Sequence, residues 1–228
     1  MKKSALILAF IFIQTTAIQA SEAIGYYSAG SIKDAESIQD RGTPIRKLFL
    51  QRGRFFGTQE MQDIISDAAD FVRQEFPESE MLQVGDIANK NGGALKEHGS
   101  HQNGLDADIV YLTRNGNLQS QTAVYWQEEF VKGGVVTANF NTERNLALFK
   151  HLIMNTPTER IFVDAAIKNH FCSYAKKNNL LNDSETKETL RRLRVEKLHT
   201  NHFHMRIKCP TTDLKCKAQA AVPVGTGC

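Results

Sequence analysis

The sequence predicts an α+β fold, in which long helices and short strands alternate irregularly rather than as a repeated strand–helix–strand array. Two observations favour this class. Apolar residues recur at helical spacing in long segments bounded by capping residues or proline, whereas the candidate strands are short and end at turn signals. The sequence shows no internal repeat and no Pro/Gly/Ser-rich linker, which predicts one domain for the mature chain.

One long helix and two strands are predicted in the first half of the chain. The segment "FGTQEMQDIISDAADFVRQEF" carries apolar residues at helical spacing, with Thr58 as a plausible N-cap and Pro77 just past its end. The apolar runs "MLQVGDIA" and "DADIVYLT" follow, and each stops before an Asn-Gly turn signal. We expect both runs to be strands.

The second half is predicted to contain three helices and two strands. In chain order these are an amphipathic helix in "NTERNLALFKHLIMN", a strand in "RIFV", a helix from Asp164 to about Lys177, a charged helix in "SETKETLRRLRVEKL" and a final strand in "HFHMRIKC". Beyond Cys209 we expect a loop-rich tail.

Residues 1–20 have the pattern of a secretory signal peptide. A basic start precedes a short apolar run from Ala5 to Ile13, and small residues stand at Ala20 and Ala23. Cleavage is expected after Ala20, or as late as Ala23, leaving a mature domain of 21–228. The apolar run is too short to span a bilayer, and no cysteine stands next to its end that could carry a lipid, so no membrane anchor is expected.

The charge balance argues against nucleic acid as a partner. Without Lys2 and Lys3, the 28 basic residues fall to 26, against 25 acidic residues. The sequence contains no basic stripe, which is the usual signature of a nucleic-acid-binding surface.

The four cysteines all lie in the last third of the chain: Cys172, Cys209, Cys216 and Cys228. An even number in an exported protein predicts two disulfides, for which three pairings are possible. Metal binding by these cysteines is the alternative, but no C-x-x-C spacing supports it.

The segment "EHGSHQNGLDADIVYL" places two histidines and two aspartates within a few positions. These residues are His98, His101, Asp106 and Asp108. Gly104 lets the intervening chain turn back, so that an imidazole and a carboxylate can converge. The segment is therefore either a polar turn or half of a metal site.

The final strand supplies a second group of histidines. Because side chains alternate between the two faces of a strand, one face is expected to be apolar and to carry Phe203, Met205, Ile207 and Cys209. The other face is expected to carry His202, His204, Arg206 and Lys208. The polar face would project two imidazoles into a cleft, and His199 lies just upstream.

Together the two segments predict a site with two histidines and one aspartate. His101, Asp108 and one histidine of the final strand would give three nitrogen and oxygen ligands, which is typical of a catalytic zinc site with a fourth position for water. Thiolates are absent from the set, which disfavours a structural zinc site. The alternative is a turn with capping carboxylates and a solvated strand face, and the spacing alone leaves both interpretations open.

Several motifs resemble the penicillin-insensitive murein endopeptidases. They are "SHQNGLDADI", "ERIFVDAAIK", "HFHMRIKCP", "DLKC" and the terminal "GTGC", with further similarity in "GYYSAGSI", "RGRFFG" and "VGDIANKNGG". The family belongs to a wider group of zinc peptidases with lysostaphin-type, D-Ala-D-Ala-peptidase and hedgehog-like folds. The resemblance implies a small, mostly antiparallel sheet with flanking helices.

The resemblance also implies roles for individual residues. His101, Asp108 and His204 would bind one zinc ion per chain. His202 would be the catalytic base or stabilise the transition state, and His199 would polarise water or hold the substrate.

Two further residues are expected near the metal without binding it. His98 matches a family histidine close to the metal and alternatively braces the loop. Asp106 shares a strand face with Asp108, but the family's ligand corresponds to Asp108. Family members also carry an Asp and a His that are sometimes assigned to a second metal. Val131 and Gly134 stand at the corresponding places here and cannot bind one, so one metal is expected.

The resemblance implies that the cysteines pair as Cys209–Cys216 and Cys172–Cys228, which ties the C-terminal tail to the domain. It further implies a periplasmic enzyme that hydrolyses the D-Ala–meso-diaminopimelate bond of peptidoglycan cross-links between stem peptides. The alternatives are an L,D-endopeptidase, a D,D-carboxypeptidase, or a non-catalytic wall-binding domain. His199 and His202 argue against the last of these, because a structural zinc site does not need unliganded histidines.

Overall fold

A computed structural model describes residues 21–228. Within this range the chain forms four α-helices, one six-stranded sheet and three two-stranded sheets. The helices are α1 (Gln59–Glu75), α2 (Thr142–Asn155), α3 (Ala165–Lys177) and α4 (Ser184–Arg192). The predicted α+β class is confirmed. The predicted signal peptide, 1–20, lies outside the described residues.

The six strands of the central sheet are β4 (Ile45–Lys47), β6 (Leu82–Val84), β7 (Asp106–Val110), β10 (Thr158–Val163), β11 (Leu193–Val195) and β12 (His202–Ile207). Their spatial order is β11-β10-β12-β7-β6-β4. The three inner pairings are antiparallel, and the two edge pairings, β10 with β11 and β4 with β6, are parallel. The sheet is therefore mostly antiparallel, as predicted.

Three small pairings complete the fold. They join β1 (Glu22–Tyr26) to β2 (Ala29–Lys33), β3 (Glu36–Ser37) to β5 (Phe56–Gly57), and β8 (Val131–Lys132) to β9 (Val135–Val136). These strands were not predicted from the sequence, because none of them shows a clear apolar alternation or a continuous apolar run.

The helices begin where polar side chains can accept a hydrogen bond from an otherwise unpaired backbone N–H. Thr58 accepts from the backbone of Met61 at the start of α1, and Asp164 accepts from Ala166 at the start of α3. The side chains of Asn141 and Asp183 do the same for α2 and α4. The predicted starts of these helices are confirmed.

Four predicted elements are longer than the observed ones, and one of them is the final strand, which ends at Ile207 rather than at Cys209. The charged helix ends at Arg192, because Leu193 leaves it to pair with Ile161 at the edge of the sheet. Tyr111–Thr113 is buried but leaves the ladder, since side chains replace its strand partners: the backbone N–H of Leu112 donates to Asn145 Oδ1 at 2.8 Å. The strand predicted in 81–88 is limited to Leu82–Val84.

The central sheet has one apolar and one polar face, as β12 shows. Phe203, Met205 and Ile207 are buried in the hydrophobic core with residues from the helices, such as Phe149 and Phe171. The alternate residues of β12 lie on the opposite face, where they line a cleft. The predicted alternation is confirmed for His202–Ile207, whereas Lys208 and Cys209 lie beyond the end of the strand.

Disulfides join Cys172 to Cys228 and Cys209 to Cys216, the pairing that the resemblance implies. The first ties the end of the chain to α3, and the second closes a short loop directly after β12. Of the helices between residues 21 and 228, none is both long and apolar enough to cross a membrane.

Candidate metal centre

The register between β7 and β12 brings the two halves of the predicted site together. Asp108 lies directly opposite His204 in this antiparallel pair, and Asp106 lies opposite Arg206. Side chains of cross-strand partners project to the same face of a sheet. The carboxylate from the first motif and the imidazole from the last strand are therefore neighbours because of strand pairing alone.

His101 reaches the same place through the turn that precedes β7. Gly104 adopts a φ of +75°, and a Cβ atom added there would lie 2.6 Å from the side chain of Ile32. His101 itself has a φ of 64°, and its backbone N–H donates to Asp106 Oδ2 at 3.2 Å. The turn places His101 Nε2 3.2 Å from Asp108 Oδ1.

Five histidines gather at the site, and each has one ring nitrogen next to an acceptor. The pairs are His98 Nε2 with Asp86 Oδ2 (2.9 Å), His101 Nδ1 with the Ile87 carbonyl (2.8 Å), His199 Nδ1 with the Lys197 carbonyl (2.7 Å), His202 Nδ1 with Asn201 Oδ1 (2.6 Å) and His204 Nε2 with Asp106 Oδ1 (2.6 Å). Because a carbonyl or carboxylate oxygen only accepts, the proton of each neutral ring lies on that nitrogen. In the neutral form of each ring, the other nitrogen therefore carries a free lone pair.

Four of these free nitrogens face the carboxylate of Asp108. They are His101 Nε2 (3.2 Å), His202 Nε2 (3.6 Å), His204 Nδ1 (3.6 Å) and His98 Nδ1 (3.8 Å). Lone pairs pointing at a carboxylate form no hydrogen bond with it. Such an arrangement is stable only when a proton or a metal ion lies between them.

Buried atoms without partners support a cation at this position. His101 Nε2 and both carboxylate oxygens of Asp108 are buried and have no hydrogen-bond partner in the described part of the chain. An unpaired buried polar group of this kind costs about 1–3 kcal/mol, and more when it is charged. The residues present therefore fit a divalent cation, which would give these buried atoms a partner.

The tightest group of candidate ligand atoms consists of His98, His101 and Asp108, which lie within 4.8 Å of one another. His204 joins them through the 3.6 Å distance between its Nδ1 and Asp108 Oδ1. The structure thus brings together all seven residues selected from the sequence. His98 Nδ1 lies almost as close to the carboxylate of Asp108 (3.8 Å) as His204 Nδ1 does (3.6 Å).

The electrostatics agree with a cation site. Burial disfavours the charged form of His101, but the carboxylates of Asp108 and Asp106 outweigh it and raise the pKa of His101 to about 9. Burial lowers the pKa of His202 to about 3 and that of His204 to about 4. Without a metal, a proton on His101 therefore neutralises Asp108, and a metal ion would replace that proton.

Asp86 is a buried residue of the site that was not predicted from the sequence. Its Oδ2 accepts hydrogen bonds from Arg52 (2.9 Å), Arg54 (3.0 Å) and His98 (2.9 Å). Burial raises the pKa of Asp86, but the hydrogen bond from His98 and the charge of Arg52 outweigh it and lower that pKa below its usual value. By accepting from His98 Nε2, Asp86 orients the His98 ring so that its Nδ1 faces Asp108. The sequence gives little signal for this residue, because Asp86 lies inside the run 81–88 that was predicted as a strand.

A cleft of about 560 Å³ gives access to these groups. Four of the five site histidines and Asp108 line it, together with Trp126, Glu97, Lys197 and Arg206, whereas His101 lies fully buried behind them. Trp126, also missed from sequence, stacks on the ring of His202 with centroids 4.4 Å apart and planes 13° apart. Val131 and Gly134 belong to the β8–β9 hairpin and do not line the cleft.

Comparison with known proteins agrees with the motifs found in the sequence. Residues 23–228 match the family model described as penicillin-insensitive murein endopeptidase. Relatives with that name include one from Haemophilus influenzae, 31% identical over 90% of this chain and 70% of the relative, and one from Pectobacterium atrosepticum, 28% identical over 91% and 72%. A third, from Klebsiella pneumoniae, is 28% identical over 92% of this chain and 74% of the relative.

Proposed function

Since this chain belongs to the penicillin-insensitive murein endopeptidase family, we propose that it is a zinc-dependent enzyme that hydrolyses peptidoglycan cross-links in the periplasm. The bond proposed is the D,D-linkage between D-Ala and meso-diaminopimelate. The observation that carries the proposal is the convergence of free imidazole nitrogens on the buried, unpaired carboxylate of Asp108 at the base of an open cleft.

His101 Nε2, Asp108 and His204 Nδ1 are the proposed zinc ligands. A donor set of two imidazoles and one carboxylate is typical of catalytic zinc sites in hydrolases. When bound, zinc acts as a Lewis acid toward the scissile carbonyl and lowers the pKa of water. Asp106, which accepts from His204 Nε2, holds that ring so that Nδ1 faces the metal position.

His202 is the proposed general base. Its Nδ1 is bonded to Asn201, its Nε2 faces Asp108 at 3.6 Å, and burial keeps the ring neutral. A neutral ring with a free Nε2 accepts a proton from the attacking water and returns it to the leaving amine. His199, with its ring centroid 5.0 Å from that of His202, lies next to it along the cleft and is proposed to hold the substrate carbonyl or the water.

His98 is proposed to stabilise the loop next to the metal position rather than to bind the zinc ion. Its Nε2–H donates to Asp86, whose other partners are Arg52 and Arg54. This network fixes the loop that carries His98 and His101.

The proposal is tested with purified cross-linked muropeptide dimers and mass spectrometry. The wild type should convert dimers to monomers, whereas chelator-treated protein and His202→Ala should not. His151→Ala is the matched control, because that histidine bonds to Asp67 outside the cleft and its loss should leave hydrolysis unchanged.

Each other outcome has a defined meaning. Full activity of His202→Ala would show that the assigned base is wrong. Cleavage of a different bond in the dimer would identify L,D-endopeptidase or D,D-carboxypeptidase specificity. No conversion by protein that holds stoichiometric zinc would identify a wall-binding domain.

A further inference from the structure

One short segment, Trp126–Phe130, contacts both His202 and the two residues that precede it. Trp126 stacks on the face of the imidazole, and the backbone N–H of Phe130 donates to the carbonyl of Thr200 at 2.8 Å. Between these residues, Glu129 reaches the entrance of β12. Its Oε2 accepts from the Thr200 hydroxyl at 2.6 Å, and its Oε1 accepts from Asn201 Nδ2 at 2.9 Å.

The second of these hydrogen bonds determines how the Asn201 amide is oriented. A carboxylate accepts hydrogen bonds only, so the NH₂ end of Asn201 must face Glu129. The oxygen end, Oδ1, then faces His202 Nδ1 at 2.6 Å. Since Oδ1 cannot donate, the shared proton belongs to Nδ1, and Nε2 of His202 is left without one.

We propose that Glu129 is a positioning residue: by fixing the orientation of the Asn201 amide, it keeps the His202 proton on Nδ1 and leaves Nε2 free for proton transfer. The inference rests on the proposed function insofar as it concerns catalysis. Without Glu129, the amide is free to rotate and present its NH₂ group to Nδ1. The ring would then carry its proton on Nε2, where it can no longer accept one.

The sequence offers a matched control. Glu128 is the neighbouring carboxylate, and within residues 21–228 it forms no hydrogen bond with Thr200 or Asn201. Its removal changes the local charge by the same amount as removal of Glu129, without affecting the amide. A conservative variant is also available, because the side chain introduced by Glu129→Gln retains an oxygen that accepts from Asn201.

The test reads the tautomer of His202 directly, by two-dimensional NMR of protein with ¹⁵N-labelled histidine, with and without chelator. The His202 signals are assigned with His202→Gln. Wild type, Glu128→Ala and Glu129→Gln should show the proton on Nδ1. Glu129→Ala should show a substantial population with the proton on Nε2, together with a kcat on muropeptide dimers about tenfold lower at unchanged KM.

A double variant separates this role from a structural one. In Asn201→Asp combined with Glu129→Ala, both oxygens next to His202 are acceptors, so no orienting group is needed and the proton should return to Nδ1. Rescue of the tautomer supports the inference even if Glu129→Ala alone is poorly folded.

A His202 that keeps its proton on Nδ1 in Glu129→Ala would overturn the inference, as would the same shift in Glu128→Ala. Because the tautomer is read without substrate, these outcomes are independent of whether the wild type hydrolyses muropeptides.

Discussion

Asp108 and His204 lie 96 residues apart in the sequence and directly opposite each other in the ladder between β7 and β12. Their side chains project to the polar face of the sheet, and Asp108 Oδ1 lies 3.6 Å from His204 Nδ1. Backbone hydrogen bonds on both strands therefore fix two of the proposed ligands. Only His101 depends on a turn, and its backbone N–H donates to the side-chain Oδ2 of Asp106.

Replacing Asp106 by Asn should weaken both metal binding and the fold. Asp106 Oδ1 accepts from His204 Nε2 and from Arg206 Nε, each at 2.6 Å, and all three residues are buried. Loss of the carboxylate frees the His204 ring, which should lower zinc affinity by about 10–100-fold. It also leaves the Arg206 charge unpaired, which should lower the free energy of unfolding by about 3 kcal/mol.

Zinc competition with a chelating dye and urea unfolding measure these two effects separately. Asp213→Asn is the control, because Asp213 is a buried carboxylate that accepts from the backbone of Ala23 and does not line the cleft. It should be destabilising without changing zinc affinity. An Asp106→Asn protein with wild-type zinc affinity would show that Asp106 does not orient His204.

The two disulfides should contribute unequally to stability. Cys172–Cys228 closes a loop with a sequence separation of 56, and Cys209–Cys216 one of 7. Loop-closure entropy predicts about 4 kcal/mol for the longer loop and about 2.5 kcal/mol for the shorter one. Urea unfolding of the two double-serine variants should reveal that difference. A larger loss for the short loop would mean that local effects near β12 outweigh chain entropy.

The mature chain should begin at Ser21 rather than at Ile24. Ala23 is fully buried, and its backbone N–H donates to Asp213 at 2.7 Å, so β1 begins before the later of the two predicted cleavage points. Ser21 also accepts from the backbone of Gln59 at 2.6 Å. Intact-mass measurement of the exported protein tests this expectation, and a chain starting at Ile24 would refute it.

Glu188 should make stability depend on pH in the acid range. Its hydrogen bonds with Arg191, and then with Arg192, lower its pKa from 4.5 to about 2. A lowered pKa means that the contribution is present above pH 4.5 and is lost as the pH falls toward 2.

Glu188→Gln should therefore unfold with a free energy about 0.5–1 kcal/mol lower at pH 7, a difference that shrinks as the pH falls below about 4.5. Urea unfolding at several pH values measures it. A difference that stays constant down to the lowest pH at which the protein remains folded would show that the ion pair is not its source.

Local patterns in the sequence were sufficient for much of this fold. The two-residue period of β12 predicted its polar and apolar faces, and Thr58 and Asp164 predicted where two helices begin. The predicted end of α4 was wrong, because the pairing of Leu193 with Ile161 overrides the helical preference of that segment. Such pairing depends on residues far apart in the chain.

The same distinction applies to the site. The clustered histidines and aspartates were visible as motifs, whereas Asp86, Trp126 and Glu129 were not, because each acts on a histidine only through the tertiary fold. Nothing in the sequence around Glu129 distinguishes it from Glu128. Residues that orient a site are therefore harder to predict than the residues that form it.

Anomalous diffraction at the zinc edge from crystals of the zinc-loaded protein tests the central claim most directly. We predict one strong peak about 2.0–2.2 Å from His101 Nε2, an Asp108 oxygen and His204 Nδ1, with His202 and His199 beside it but not bonded to it. A peak held by other residues, or no peak at these three atoms, would contradict the proposed metal centre.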